Sequence, residues 1–307
     1  MQRYLFQRVA QTILTLVGIS IIVFGLARLT GDPVKIMAPP EATAEDIERL
    51  REHLGLTAPL PVQYWRFVGL AIRGDFGESI RWQRPALGII LERFPATVLL
   101  SASSMLLGLA LALPIGVLSA VRRGTAVDAV GKVVALIGQS MPTFWLGILL
   151  ILGLALYLPL FPTSGFGTAA HLVLPSITLG GFVAASIMRV TRSAMLDVLD
   201  SDYIRTARSK GLSDRVVIWK HALSNAAIPV LTITALQTAT VLRGAVVTET
   251  VFAWPGVGKI AVDAVYARDF PLVQAAVLFM GAVFTGVNLL ADLLYARLDP
   301  RIGYGRR

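Results

Sequence analysis

Six apolar runs, each long enough to cross a lipid bilayer, dominate this sequence of 307 residues. They cover residues 9–29, 96–121, 133–158, 172–190, 230–252 and 272–296. The hydrocarbon core of a bilayer is about 30 Å thick, so a helix needs about 20 apolar residues to cross it. Because lipid offers the backbone no hydrogen-bonding partner, we expect each run to be helical. The predicted fold is all-α, with six transmembrane helices in a single membrane domain covering residues 1–307.

The composition narrows the classes of function. With 55% hydrophobic and 15% charged residues, the chain does not have the composition of an ordinary soluble domain. It has no cysteine, which excludes disulfides, thiolate zinc sites and a cysteine nucleophile. Its three histidines lie in loops or at the edges of runs, so we expect neither a catalytic centre nor a metal site. The net charge of +9 is spread over the loops, which favours membrane topology over nucleic-acid binding.

The distribution of charge between the loops predicts the orientation. Six spans place both termini on one side, and lysine and arginine are abundant in the loops of that side. In the loop 30–95, acidic residues balance the basic ones. The positive-inside rule therefore predicts cytoplasmic termini and an external subdomain at 30–95. The basic N-terminus is similar to that of a signal peptide, but no convincing cleavage site follows run 9–29, and we expect a retained helix.

The external loop has its own helical signals. Residues 41–56 have helical spacing, and Thr43 with Asp46 approximates a capping box at the start. A short helix is expected after Pro59, and a glycine-rich connector at 73–79. This compact cap either packs against the ends of the membrane helices or docks an external protein, and both alternatives are open.

Glycine and proline residues within the runs have two interpretations. They either bend transporter helices or let helices pack closely, and packing is favoured. The residues concerned are Gly108, Pro114 and Gly116 in the second run, and Gln139, Pro142 and Gly147 in or near the third. Pro175 is expected near the first turn of the fourth helix, and Pro229 is expected to open the fifth.

Ionisable groups inside a span cost free energy unless they are paired or hydrated, so each is a functional candidate. Arg243 lies about midway along the fifth run, and Glu249 lies near its predicted outer end. We consider Arg243, Gly244 and Glu249 as candidate residues of a substrate path. Arg243 either lines a hydrophilic path, where it could attract a peptide carboxylate, or pairs with a buried acid or a partner subunit. Glu249 could simply face external water, and Asp292 could reach the interface.

The loop 192–229 between the fourth and fifth runs predicts a helix, a glycine turn and a second helix. Asp200, Ser201 and Asp202 are suited to capping the first helix, and Gly211 is suited to a left-handed stop. Ser213 and Asp214 can cap the second helix. Ala207 is expected at a position where another protein's surface could come close. A basic loop lying on anionic lipid is the simpler alternative.

This loop resembles the EAA motif of bacterial ABC importer permeases, in which Glu-Ala-Ala, three residues, Gly and nine residues precede Ile-x-Leu-Pro. Ala207, Gly211 and Leu223 match the motif. Four positions depart from it: Arg205, Thr206, His221 and Ser224. The departing form is similar to the dipeptide, oligopeptide and nickel branch of these permeases. So are segments along nearly the whole chain: 31–33, 54–56, 59–64, 73–77, 93–97, 142–147, 162–165, 246–252, 254–258 and 298–302.

The resemblance implies the type I ABC importer permease fold, and the large loop after the first helix is like that of the B-type subunit. It implies a bacterial or archaeal plasma membrane and four kinds of partner: a second, C-type permease, two ATPase subunits, an external solute-binding protein and the lipid bilayer. The ATPase would contact a cytoplasmic coupling loop at 192–229, through Tyr203, Arg205, Thr206, Ala207, Arg208, Lys210, Gly211 and Leu212.

ATP and Mg²⁺ would then be bound by the partner ATPases, with no cofactor on this chain. The string Gly256-Val-Gly-Lys-Ile260 agrees, because it lacks both the spacing of a Walker A loop and its Ser or Thr. The expected substrate is a dipeptide or oligopeptide, with nickel or a nickel chelate as the alternative. A secondary transporter is the competing class, but inverted repeats and paired intramembrane acids are not found.

Overall fold

The computed structural model describes residues 2–29, 43–53 and 56–298, and these residues form eleven helices. The segments 31–33 and 299–302, and parts of 41–56, lie outside this description. The helices are α1 (Gln2–Leu29), α2 (Ala44–His53), α3 (Leu60–Ala71), α4 (Ala86–Val121), α5 (Ala126–Ser140), α6 (Thr143–Tyr157), α7 (Ala169–Leu199), α8 (Asp202–Ser209), α9 (Asp214–Val251), α10 (Val257–Tyr266) and α11 (Phe270–Leu298). The described residues contain no strand, only one isolated bridge between Glu78 and Pro85.

Five single helices are long and apolar enough to cross a membrane: α1, α4, α7, α9 and α11. The sixth candidate is the pair α5 and α6, whose axes meet at 106°. The run 133–158, which was expected to form one helix, is therefore broken, and of the two interpretations of Pro142 the structure has the bend. Pro142 lacks an amide hydrogen and holds an extended backbone (ψ 135°) at the break, as does Met141 (ψ 126°).

Two predicted helix starts were also wrong. Helix α7 begins at Ala169 rather than near Pro175, directly after Thr168, whose hydroxyl lies 2.8 Å from Nδ1 of His171. Helix α9 begins at Asp214 and continues through Pro229, with a π-helical turn at Val217–Ala222. Long apolar helices tolerate an internal proline when local side chains and widened turns satisfy the backbone. The glycine and proline residues of the second run likewise do not interrupt α4.

The chain divides into two compact units. The first comprises residues 1–95 and 256–286. Its core joins α4, α10 and α11 through Ile90, Val257 and Leu272, each without exposed surface. At the start of α11, the buried carboxylate of Asp269 accepts hydrogen bonds from the amides of Leu272 and Arg81 and from the hydroxyl of Ser79.

The two helix starts predicted within the loop 30–95 that fall on described residues are confirmed. In the capping box at α2, the amide of Asp46 donates to the hydroxyl of Thr43, and the amide and hydroxyl of Thr43 donate to the carboxylate of Asp46. The two bonds that Thr43 donates to the carboxylate, first that of its hydroxyl and then that of its amide, hold the pKa of Asp46 below its usual value. The helix expected after Pro59 is α3, and it packs on α1 through Tyr64 and Phe24, with ring centroids 5.6 Å apart.

The second unit comprises residues 96–255 and 287–307. Helix α7 is at its centre and contacts α4, α5, α6 and α9. Small residues let the backbones approach: a β-carbon on Gly180 would lie 2.6 Å from the carbonyl oxygen of Ser104, and one on Gly108 would lie 3.1 Å from that of Gly180. The packing interpretation of Gly108 is thus confirmed.

Candidate functional site

The second unit contains a cavity of about 530 Å³ at the break between α5 and α6. One wall is the break itself, residues 139–143. The second is α7, through Leu179, Phe182 and Val183, and the third is α9, through residues 240, 241, 243 and 244. Residues distant in sequence therefore converge where the third apolar run is interrupted. Irregular backbone at membrane depth is tolerated where it lines such a cavity.

Two of the three residues predicted for a substrate path, Arg243 and Gly244, line this cavity. The sequence interpretation missed the polar residues around them, which are Gln139, Ser140, Thr143 and Thr240. Gln139 and Pro142 had been noted, but as signs of helix packing. The signal that could have found the wall is a proline inside an apolar run with polar residues on both sides.

Glu249, the third residue, does not line the cavity. It has no exposed surface, so the idea that it faces external water was wrong. The hydroxyl of Thr97, itself fully buried, donates to Oε1 of Glu249 at 2.6 Å. Nearby, the indole nitrogen of Trp254 donates to the carbonyl oxygen of Ala96 at 2.9 Å. These bonds join the end of α9 to α4 inside the second unit, and they satisfy polar groups that would be costly to bury alone.

Helix α8 lies in the loop 192–229 and is attached to the second unit by one face. Ile204 has no exposed surface and packs in a cluster with Val117 of α4, Met195 of α7 and Val217 of α9. Ala207 belongs to the same cluster and is 9% exposed. Its methyl group contacts this chain's own core, so the expectation that Ala207 admits another protein's surface was wrong. An amphipathic helix this short is stabilised by such packing.

The other face of α8 is solvent-exposed and basic. Tyr203, Arg205, Thr206, Arg208, Lys210 and Leu212 are all exposed. The predicted helix, glycine turn and helix are present, and Gly211 ends α8 with a φ of +78°. The amide of Gly211 donates to the carbonyl of Arg208 and that of Leu212 to the carbonyl of Ala207, the pairing of a Schellman motif. The turn therefore has a defined geometry that glycine adopts without strain.

An ion pair that the sequence interpretation did not identify joins α5 to α7. Asp128 is 1% exposed, and its Oδ1 and Oδ2 accept hydrogen bonds from Nε (2.7 Å) and Nη2 (3.0 Å) of Arg192. Lys132 lies 2.9 Å from Oδ2, and the amide of Gly124 donates to the same oxygen. Arg192 stands on α7, ten residues before the start of α8, and Asp128 stands on α5, which ends at the cavity. The cluster therefore joins α7 to α5.

Comparisons with known proteins agree with this arrangement. Residues 1–101 match the N-terminal family of binding-protein-dependent transport system membrane components, and residues 112–304 match the family described as binding-protein-dependent transport system inner membrane component. The chain is 42% identical over 305 residues to the glutathione transport system permease protein GsiC of Escherichia coli strain K12 and to that of Salmonella paratyphi A. These alignments cover 99% of this chain and 100% of each relative.

Solved structures have the same fold at low sequence identity. The inward-facing MetNI methionine ABC transporter has a TM-score of 0.55 at 18% identity, covering 69% of this chain and 96% of its own. An amino acid ABC transporter with histidines gives 0.53 at 15% identity, covering 68% and 94%. The predicted all-α permease fold and the resemblance to ABC importer permeases are thereby confirmed, and the secondary-transporter alternative is set aside. The chain belongs to the family of inner membrane components of binding-protein-dependent transport systems, the permease subunits of ABC importers.

Proposed function

We propose that this chain is the B-type permease subunit of an ATP-driven importer of small peptides. The observation that carries the proposal is its identity of 42%, along its whole length, to glutathione permeases. Those relatives favour a peptide over nickel or a nickel chelate as the substrate. Its partners would be a C-type permease, two ATPase subunits that bind ATP and Mg²⁺, and an external solute-binding protein.

The exposed face of α8 is the proposed contact with an ATPase subunit. Arg205, Arg208 and Lys210 would complement an acidic rim of a groove on the ATPase, while Tyr203 and Leu212 supply apolar surface. The buried face supports this role, because Ile204 and Ala207 pack α8 onto α4, α7 and α9. A helix held in this way moves together with the membrane helices beneath it.

Closure of the ATPase pair on binding ATP would therefore displace α8 and the ends of α7 and α9. Helices α7 and α9 also form walls of the cavity. The displacement would shift the cavity between inward-open and outward-open states, as in other transporters that move rigid bodies about a central site. No bond in the substrate is changed by this mechanism.

Cross-linking combined with a glycine substitution tests the contact. Lys210→Cys places a thiol on an exposed position of a chain that has no other cysteine, so any cross-link to a cysteine-bearing ATPase reports this site. We expect a cross-link that depends on the ATP state. Gly211→Val places a β-branched residue at φ +78°, at a cost of about 1–3 kcal/mol, and should lower both the cross-link yield and the ATP-dependent uptake.

Gly77→Val is the matched control, because Gly77 has a φ of +80° and, like Gly211, no atom within 4 Å of an added β-carbon. It strains the backbone equally but lies in the first unit, so the cross-link should keep its wild-type yield. Wild-type uptake in Gly211→Val, together with no cross-link from Lys210→Cys in any ATP state, would refute the docking proposal.

A further inference from the structure

The cavity between α5, α6, α7 and α9 has a basic side chain in its wall. Arg243 is its one charged group, since none of the described residues that line it is acidic. Arg243 is exposed on α9, about midway along the apolar run 230–252. A cation at such a depth is costly unless it meets water, a partner or an anion. A guanidinium can also donate two parallel hydrogen bonds to a carboxylate.

Neutral hydrogen-bonding groups are arranged around this cation. Thr240 lies three residues before Arg243 and therefore on the same face of α9. Gln139, Ser140 and Thr143 lie on the facing wall, at the break between α5 and α6. Gln139 and Ser140 are exposed at this wall. Hydroxyl and amide groups can donate to an anion without repelling it.

The remaining lining is apolar. Met141, Pro142 and Phe182 provide surface for an uncharged part of a ligand, with Leu179 and Val183 packed behind them. Ligand sites are commonly cavities of about 300–1,000 Å³ with mostly apolar walls and a few polar groups that orient the ligand. A cavity of about 530 Å³ with one guanidinium suits a small molecule that carries a carboxylate at one end.

We infer that this cavity binds the free carboxylate of a small peptide during transport, with Arg243 as the residue that selects for that carboxylate. The inference rests on the proposed peptide import. It adds a selective step within the membrane, separate from selection by the external solute-binding protein. A peptide whose carboxylate is blocked would lose the bonds to Arg243, although its apolar part would still fit against Phe182 and Met141.

Protection of an introduced thiol measures this binding without the solute-binding protein. Ser140→Cys gives this chain its one cysteine, in the wall of the cavity, and the variant is studied in the purified importer complex in nanodiscs, with the alkylation of this subunit measured. Its alkylation rate by iodoacetamide is measured while trialanine, or trialanine with a C-terminal amide, is titrated. We expect trialanine to protect the thiol at concentrations about tenfold lower than the amide does, because the amide loses one pair of charge-assisted hydrogen bonds to Arg243.

Arg243→Gln in the same background should abolish the difference between the two peptides, and Arg243→Lys should keep part of it because the charge remains. Arg123→Gln is the control, since Arg123 is an exposed arginine in the loop between α4 and α5 and does not line the cavity. Equal protection by the two peptides, no protection by either, or an unchanged difference in Arg243→Gln would overturn the inference.

A purely structural role of Arg243 gives a different result. If it only pairs within the chain or with the partner permease, Arg243→Gln should reduce complex assembly and affect both peptides equally, which also overturns the inference. ATP-dependent uptake of trialanine by the wild-type complex with its binding protein is measured in parallel. Absent uptake contradicts the proposed function, whereas normal uptake without carboxylate-dependent protection contradicts only the selective site.

Discussion

At the scale of single residues, the buried carboxylate of Asp128 is the point where three basic or amide donors meet. Asp128→Asn removes the negative charge but keeps the size, and it leaves Arg192, whose side chain is 20% exposed, without its carboxylate partner. Hydrogen bonds to charged groups contribute about 1.5–3 kcal/mol, so we expect a loss of about 2 kcal/mol. The measurement is the temperature at which the purified complex loses its monodisperse peak in size-exclusion chromatography.

Glu45→Gln is the control for this prediction, because its ion pair with Arg49 is about three-quarters exposed on both sides and surface pairs contribute about 0–1 kcal/mol. The double variant Asp128→Arg with Arg192→Asp restores opposite charges, and it should recover part of the lost stability. An Asp128→Asn complex as stable as the Glu45→Gln complex would show that the bidentate pair contributes nothing measurable.

Single residues also show where a sequence pattern loses its predictive value. Arg243 was identified as a candidate from its mid-span position, since a charge at that depth requires stabilisation in any fold. The structure places it in the wall of the cavity. For Glu249, which stands near the end of an apolar run, a substrate path and external water were the two alternatives considered. The packing of α4 against α9 instead brings Thr97 to it. The burial of Ala207 likewise depends on residues from three other helices. Contacts between distant segments are not encoded in local spacing.

At the scale of helices, hydrophobic run length predicted the number of candidate spans better than their shape. The runs marked the apolar parts of the five single candidates and of the bent pair α5 and α6, but α4 begins ten residues before its run and α9 begins sixteen before its own. Amphipathic extensions outside the lipid do not raise local hydropathy, so the runs missed them. The break at Met141–Pro142 was missed because both halves, α5 and α6, are apolar, and composition does not show the direction of a helix axis.

Close packing of α4 on α7 gives a prediction at this scale. In Gly180→Ala the new β-carbon would lie 2.6 Å from the carbonyl oxygen of Ser104, a backbone atom that no side-chain rotation can move. The two helices must therefore separate, and overpacking of this kind costs about 1–3 kcal/mol. We expect a lower apparent melting temperature of the complex by the same chromatographic measurement.

Gly88→Ala is the matched change for comparison, since Gly88 is also helical, in α4, and an added β-carbon there has no atom within 4 Å. Alanine has the higher helix propensity, so the stability of this variant should be unchanged or slightly raised. If the two variants melted at the same temperature, the close contact between α4 and α7 would not limit stability.

At the scale of the whole molecule, the orientation of the chain in the membrane can be measured by labelling introduced cysteines, because the chain has no cysteine of its own. The charge distribution predicts α8 on the cytoplasmic side and the loop between α6 and α7 outside. Ser209 ends α8, and Ser164 lies in that second loop; both are exposed. Ser209→Cys and Ser164→Cys each replace one oxygen with sulfur, and the native chain contributes no background thiol.

In whole cells with a permeable outer envelope, a membrane-impermeant maleimide should label Ser164→Cys and leave Ser209→Cys unlabelled. Opening the inner membrane should then expose Ser209→Cys to the reagent. The orientation matters for the mechanism, because α8 can receive force from an ATPase only if it lies where ATP is present. Labelling of Ser209→Cys in intact cells would invert the topology and remove the basis for the ATPase contact, whereas the family assignment, which rests on sequence identity, would stand.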